Sequence, residues 1–370
     1  MKAAVIAYTR NALQTACKAA ACLQGAEAAV YTLPRFLSDG HSDLQIPVRT
    51  IPANDDGFYR KLFRESDLLI FVSALGIVVR KIAPFVKDKK EDPAVLCMDE
   101  KGRYVISVLS GHIGGANDAA RMIAQKLEAH AVITTATDVN HRFSADAWAA
   151  RQGLVIDDMQ AAKAVSAAIL EQDVPVLCEP PVTLSYMKQD TDRDAGAPPG
   201  VSGRPSGIMI VSSQTDVSSF PVGIYVGWKR RDPFPTTLHL IPRMIHLGIG
   251  CRKDTSKEQI ERAVQEVFAQ GQIDQRAVCG VFSIDLKKEE PGLLQFCQMH
   301  GWELRTYRAE ELLAVEGEFS SSGFVQRITG VDNVCERAAM KDADELLVRK
   351  HARDGVTAAL AVKKVQLTLS

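Results

Sequence analysis

Short apolar runs, each long enough for one buried strand, alternate through the first third of the chain with stretches whose apolar positions recur at helical spacing. Ala3 to Ala7 and Asp67 to Val72 read as strands of this kind, and Ala94 to Met98 and Tyr104 to Leu109 as two more. Between the last two, Asp99-Glu100-Lys101-Gly102 has the composition of a hairpin turn. Asn11 is placed to cap the helix after the first strand, and Gly25 stands where that helix would end. Next come Ser110-Gly111-His112-Ile113-Gly114-Gly115-Ala116-Asn117, an alanine-rich helix to Ala129, and a strand from Ala131 to Thr134. Strand–helix alternation with buried strands predicts a mostly parallel α/β sheet.

From Asn140 the pattern weakens. Ala161 to Glu171 reads as a helix, and Val174 to Cys178 and Ile208 to Val211 as strands. Gln189 to Gly207 is rich in Asp, Gly, Pro and Ser, too polar to bury an ordered core, and is expected to be a long mobile loop. Arg230 to Thr237 is expected to be an interdomain connection.

The last third returns to α/β alternation. Strands are predicted at Met244 to Ile249, Ala277 to Ile284 and Glu303 to Tyr307, and helices at Leu293 to His300 and Asn333 to Met340. Ser256 with Gln259 has the pattern of a capping box, ahead of an apolar face of Ile260, Ala263, Val264, Val267 and Phe268. Arg353-Asp354-Gly355 reads as a hairpin turn between two final strands. The expected fold is therefore α/β and multi-domain. N-terminal and C-terminal α/β units with mostly parallel sheets (residues 1–139 and 239–370) are joined by a smaller middle region, 140–238. No repeat of solenoid period is present.

Composition narrows the function classes. A formal charge of -1 across 370 residues leaves no global basic field for nucleic acid or an acidic membrane surface. The opening MKAAVIAYTR has too short an apolar run for a signal peptide, and no segment approaches a membrane-spanning length. The eight cysteines are scattered, with no C-x-x-C and no zinc spacing, as in reduced thiols of a cytoplasmic protein.

Ser110 to Asn117 is the strongest local signal for chemistry. Glycines at a strand-to-helix turn bring backbone amides close to an anion, and the helix start adds partial positive charge. Gly111, Gly114, Gly115, Ala116 and Asn117 are thus candidates to cradle a carboxylate or a developing oxyanion; a tight turn without ligand is the plainer alternative. Its spacing matches neither common nucleotide fingerprint. His112 fits a general base towards water, a donor to a substrate oxygen, or a histidine satisfying a loop carbonyl. Asp138, after Thr134-Thr135-Ala136-Thr137, is expected at the same sheet edge as His112, to orient it or activate water, or merely to serve a turn. Ser73 to Gly76 forms another strand-end loop, with Ser73, Gly76 and Arg80 as candidate contacts for substrate carboxylates. Gly250, Arg252 and Lys253 repeat that logic in the last third. Cys251 beside them has no histidine in the same turn to activate it. Asp332 or Asn333 caps the helix that follows, and Glu336 on it is either catalytic or a solvated surface carboxylate.

Several of these runs together resemble one family, the cobalamin biosynthesis protein CbiG or cobalt-precorrin-5A hydrolase. They are SALGIVVRKIAP (73–84), DPAVLCMDEKGRYVISVLSGHIGGAND (92–118), VITTATDVN (132–140), HLGIGCRKDTSKEQIE (246–261) and TGVDNVCERAAM (329–340). The resemblance implies a hydrolase acting on a cobalt-bearing tetrapyrrole, opening its ring A δ-lactone with loss of acetaldehyde. Cobalt would enter as part of the substrate, so no resident metal or organic cofactor is implied. The implied partner is the cobalt-tetrapyrrole, with transient contacts to neighbouring corrin-pathway enzymes and none with nucleic acid or membrane. A tetrapyrrole carrier without turnover is the competing class. A nucleotide-dependent enzyme is disfavoured, since no acidic residue stands about twenty positions beyond a proper glycine fingerprint.

Overall fold

The computed structural model describes residues 1–37, 46–53, 56–88, 91–186 and 205–369. The chain divides into two compact units, Met1–Ala150 and Arg151–Ser370. The first contains β1 (Lys2–Ala7), α1 (Arg10–Ala21), β2 (Glu27–Thr32), β3 (Val48–Thr50), α2 (Asp56–Glu65), β4 (Leu68–Val72), α3 (Leu75–Ile82), β5 (Ala94–Met98), β6 (Tyr104–Leu109), α4 (Ala116–Leu127), β7 (His130–Val132) and α5 (Ala136–Val139). Helix α6 (Ala145–Arg151) follows. The strands form one seven-stranded sheet in the order β3-β2-β1-β4-β5-β6-β7.

Alternation along β1 decides which side chain enters which core. Ala3, Val5 and Ala7 pack with Leu13 and Ala16 of α1 and Ala120 and Ile123 of α4. Ala4 and Ile6 face the other way, against Tyr59 and Phe63 of α2 and Val78 and Ile82 of α3. Strands covered on both faces need no polar side, so all five residues of β4 and of β5 are buried. Each fully buried Leu, Ile or Val there contributes roughly 1.5–3 kcal/mol.

Thr9, not Asn11, caps α1: its side chain accepts from the Ala12 amide at 3.1 Å. Thr9 is still extended, as a cap must be, whereas Asn11 already lies inside the helix. The helix ends at Ala21, short of Gly25.

Strands β1 to β5 run parallel, β5 and β6 form an antiparallel hairpin, and β6 and β7 are again parallel. The chain direction therefore reverses across the sheet. The carboxyl ends of β6 and β7 lie at the edge where β4 and β5 begin.

The second unit contains β8 (Val155–Ile156), α7 (Met159–Glu171), β9 (Val174–Cys178), β10 (Val182–Tyr186), β11 (Ile208–Val211), β12 (Val222–Val226) and β13 (Thr236–Ile241). It continues with β14 (Ile245–Cys251), α8 (Lys257–Gly271), β15 (Val278–Ile284), α9 (Pro291–His300), β16 (Leu304–Tyr307), α10 (Ala309–Leu313), α11 (Gly323–Thr329) and α12 (Val334–Met340). Strands β17 (Glu345–Arg353), β18 (Val356–Val362) and β19 (Val365–Leu369) end the described chain. One five-stranded sheet has the order β11-β9-β12-β13-β8, another β16-β15-β14-β18-β17, and β10 pairs with β19.

Arg230 to Thr237 is not a linker between domains. It connects β12 and β13, which are hydrogen-bonded parallel neighbours, and its last residues already belong to β13. Leu238 and His239 both lie within β13. The polar stretch Gln189 to Gly207 falls, as far as Arg204, outside the described residues. The capping box of Ser256 and Gln259 is formed on α8, whose Ile260, Ala263, Val264, Val267 and Phe268 are all buried. Among the described residues no helix is long and apolar enough to cross a membrane.

Candidate functional site

The turn between β6 and α4 spends three of its amides on itself. Gly115 N–H donates to the His112 carbonyl at 3.0 Å, Ala116 N–H to Ser110 at 3.2 Å and Asn117 N–H to Gly111 at 2.9 Å. Three of the five expected anion donors, the amides of Gly115, Ala116 and Asn117, are thus held by the turn's own carbonyls. The glycines answer to packing instead. A Cβ on Gly114 would stand 2.5 Å from Ser110 Cβ, and one on Gly111 would stand 2.8 Å from Asn117 Oδ1. Gly115 caps α4 at a φ of 80°, in the left-handed region.

The tight turn delivers His112 into a network of polar side chains. His112 Nε2–H donates to Asp138 Oδ2 at 2.8 Å, with Thr137 Oγ1 at 3.3 Å. On the other side of the ring, Nδ1 lies 3.0 Å from Ser144 Oγ and 3.1 Å from Asp146 Oδ1. Asp138 also accepts from Asn117 Nδ2 at 2.9 Å and from the Arg121 guanidinium. Asn117, buried in the first turn of α4, thus ties the helix to Asp138 and to Thr135 rather than merely capping it.

A carboxylate on each ring nitrogen favours the doubly protonated ring. Burial alone would lower the His112 pKa; hydrogen bonds and charge from Asp146, then Asp138, outweigh it and leave the value raised. Burial would raise Asp138, but Arg121 and then His112 outweigh it and hold the carboxyl below its ordinary value. Both His112 nitrogens are engaged, and Asp138 is a weakened base with three donors upon it. The expected pair is together: the doubly protonated His112 has no free lone pair for water, and donors occupy three of the about four lone-pair sites of Asp138. Asp146 was missed in the sequence, because Ser144-Ala145-Asp146 carries no pattern beyond that of an ordinary helix start.

Ser73, Gly76 and Arg80 do not join this network. They follow β4, whose carboxyl end lies at the opposite sheet edge from those of β6 and β7. Arg80 turns back on its own helix, donating to the Gly76 carbonyl at 3.3 Å, and Ser73 Oγ meets the Ala74 carbonyl at 3.4 Å. Leu75, Ile77 and Val79 of α3 are exposed there.

In the second unit, Gly250, Arg252 and Lys253 line one cavity of about 820 Å³. It opens at the carboxyl ends of β14 and β15, the edge where open α/β sheets hold ligands. Helix α11, the start of α12 and the β17–β18 hairpin close its sides. Gly248 lets α12 lie directly on β14: a Cβ there would sit 1.9 Å from the Cys335 carbonyl oxygen. A Cβ on Gly250 would likewise meet Thr357 Oγ1 at 2.7 Å. Cys251 also lines the cavity, but burial pushes its thiol up to about 11, which removes it as a ready nucleophile.

Glu336 is neither solvated nor at the cavity surface. It is fully buried and accepts from Lys350 N–H at 2.6 Å, Ser320 N–H at 2.8 Å, Asn333 Nδ2 at 2.8 Å and Ser320 Oγ at 3.2 Å. Asn333 is the cap of α12, receiving the Glu336 amide at 2.9 Å. The carboxylate thus fastens the Ser320 loop and β17 to the start of α12.

Comparison with known proteins gives concordant results. Residues 57–138 match the family model for Cobalamin synthesis G N-terminal, and residues 245–361 that for Cobalamin synthesis G C-terminus. A cobalt-precorrin-5A hydrolase from Priestia megaterium is 32% identical over 368 residues, covering 97% of this chain and 94% of that protein. The Salmonella typhimurium protein of the same name is 35% identical, covering 83% of this chain and 86% of its own. Among solved structures, a cobalamin biosynthesis protein G homolog from Sulfolobus solfataricus aligns over 98% of this chain and 97% of its own, at 20% identity and a TM-score of 0.37. On the near full-length likeness to the first two relatives, the chain belongs to the cobalt-precorrin-5A hydrolase (CbiG) family.

Proposed function

We propose that this chain hydrolyses cobalt-precorrin-5A. Water adds to the ring A δ-lactone carbonyl and the acyl–oxygen bond breaks, giving a carboxylate and an alcohol. The bond between the alcohol carbon and the macrocycle then breaks: the hydroxyl loses its proton as acetaldehyde forms, and the macrocycle carbon keeps the electron pair and takes a proton, giving cobalt-precorrin-5B. The observation that carries this reading is the likeness to the Priestia hydrolase, which spans 97% of this chain and 94% of that one. Cobalt enters as a part of the substrate, and the reading draws on no organic cofactor. The eight free cysteines support a reducing, cytoplasmic setting. Transient contacts with the enzymes that supply the substrate and take the product belong to the same proposal.

Lactone opening needs a water made nucleophilic and donors aimed at the tetrahedral oxyanion. In this reading His112 and Asp138 act as positioning residues, because both ring nitrogens of His112 are engaged by carboxylates, and the donors from Arg121, His112 and Asn117 weaken Asp138 as a base. Their network holds the 110–117 turn against α5 and fixes what the turn presents. The test is an anaerobic incubation with cobalt-precorrin-5A, trapping released aldehyde. Acetaldehyde in step with substrate loss supports the reading; tight binding of the tetrapyrrole without acetaldehyde would replace it with a carrier.

A further inference from the structure

The cavity of the second unit combines three properties seldom found together. Its volume of about 820 Å³ lies in the upper part of the range for small-molecule sites. Its walls carry large apolar side chains, and two of these, Leu286 and Ile328, are 64% and 62% exposed. Exposed apolar side chains gathered in one cavity mark a ligand or partner site. Three cations, Arg252, Lys253 and Lys350, also line it, and among the described residues none of them takes part in an ion pair. The other two cations of the lining are spoken for: Lys287 by Glu290 at 2.8 Å, and Arg353 by Glu266. Of three exposed carboxylates in the lining, Asp354 pairs with Arg262 and Arg353, which leaves Asp254 and Glu289, so the unpaired cations exceed the unpaired anions.

We infer that this cavity is where the chain holds a tetrapyrrole, with the macrocycle face on Leu286, Val325 and Ile328. Its carboxylate arms are read by Arg252, Lys253 and Lys350. The assignment rests on the proposed hydrolase reading for the identity of the ligand, and on the cavity for its place. Lys350 is the residue that sequence reasoning could not nominate. It sits in mid-strand on β17 with no glycine turn beside it, and its backbone is fixed by the buried Glu336 carboxylate at 2.6 Å. Apolar walls supply the attraction for the ring, and charge-assisted hydrogen bonds to the arms supply orientation. Binding of this kind needs no lactone.

A stable porphyrin carrying a free carboxylate on every arm is therefore a sufficient probe, with its fully methyl-esterified counterpart as control. Titration of the intact chain, followed by porphyrin absorbance, should show saturable binding of the acid that weakens with added salt, and much weaker binding of the ester. Lys350→Ala and Arg252→Ala should each loosen the acid about tenfold, the loss of one charge-assisted hydrogen bond, with unchanged melting temperature. Undiminished binding by the Arg252→Ala, Lys253→Ala, Lys350→Ala triple variant would overturn the assignment, as would equal affinity for acid and ester. Acetaldehyde release from cobalt-precorrin-5A, measured in parallel, separates this proposal from the one beneath it. Release with an unaltered KM in the triple variant rejects the cavity and leaves the hydrolase standing. Porphyrin binding without any release by the unmodified chain rejects the hydrolase and leaves the cavity standing.

Discussion

His112 Nε2 lies 2.8 Å from Asp138 Oδ2, and the ring's other nitrogen lies 3.1 Å from Asp146 Oδ1. An imidazole gripped by a carboxylate on each side serves better as a fixed cation than as a proton acceptor. Loss of a general base costs about 10²–10⁴-fold in turnover. A positioning pair should cost less, so His112→Asn and Asp138→Asn are predicted to lower kcat by about tenfold. The kcat/KM profile against pH should keep its inflection points. An inflection lost with His112 would restore it as the base.

The same contacts make stability depend on pH in a defined direction. The folded His112 pKa is raised above its ordinary 6.5, so its contribution is complete below that value and fades as pH rises through the folded value. Asp138 is lowered below 3.8, so its contribution is present above that value and fades as pH falls through the lower folded one. The melting-temperature gap between the unmodified chain and His112→Gln should therefore narrow on the alkaline side of 6.5. A gap that widens there would contradict the imidazolium assignment.

Gly114 and Gly115 should respond differently to alanine. At Gly114 the new Cβ would press on Ser110 at 2.5 Å, which predicts a loss of about 1–3 kcal/mol as the turn shifts. At Gly115 nothing lies within 4 Å, so only the left-handed backbone is strained, at about 1 kcal/mol. Denaturant melts of the two variants compare the costs directly.

Removing the Glu336 carboxylate leaves buried donors from Lys350, Ser320 and Asn333 without their acceptor. Glu336→Ala is predicted to cost about 3 kcal/mol or more in unfolding free energy. Glu289→Ala, at an exposed position, should change little. Equal effects would mean that the Glu336 network contributes nothing to stability.

Local chemistry was legible in the sequence where one segment contained the whole device. The Ser256–Gln259 capping box and the hairpin turns at Asp99–Gly102 and Arg353–Gly355 all form as their residues suggest. The pairing of the His112 loop with Asp138 was legible too, because β6 and β7 are adjacent and parallel. What escaped was set by non-local geometry. The β5–β6 hairpin was visible, but only the sheet order shows that it sends Ser73 and His112 to opposite edges. Glu336 has the helical position of a solvated side chain until the Ser320 loop and β17 cover it. The 110–117 glycines carry the composition of an anion cradle, and only the turn's hydrogen bonds show the Gly115, Ala116 and Asn117 amides already in use.

The central claim is that water opens the lactone of cobalt-precorrin-5A, and the direct measurement is turnover in water enriched in oxygen-18. A single labelled oxygen in the tetrapyrrole carboxylate, appearing together with trapped acetaldehyde, is the predicted result. A product formed without label in the tetrapyrrole, or a tetrapyrrole returned unchanged from a tight complex, would contradict it.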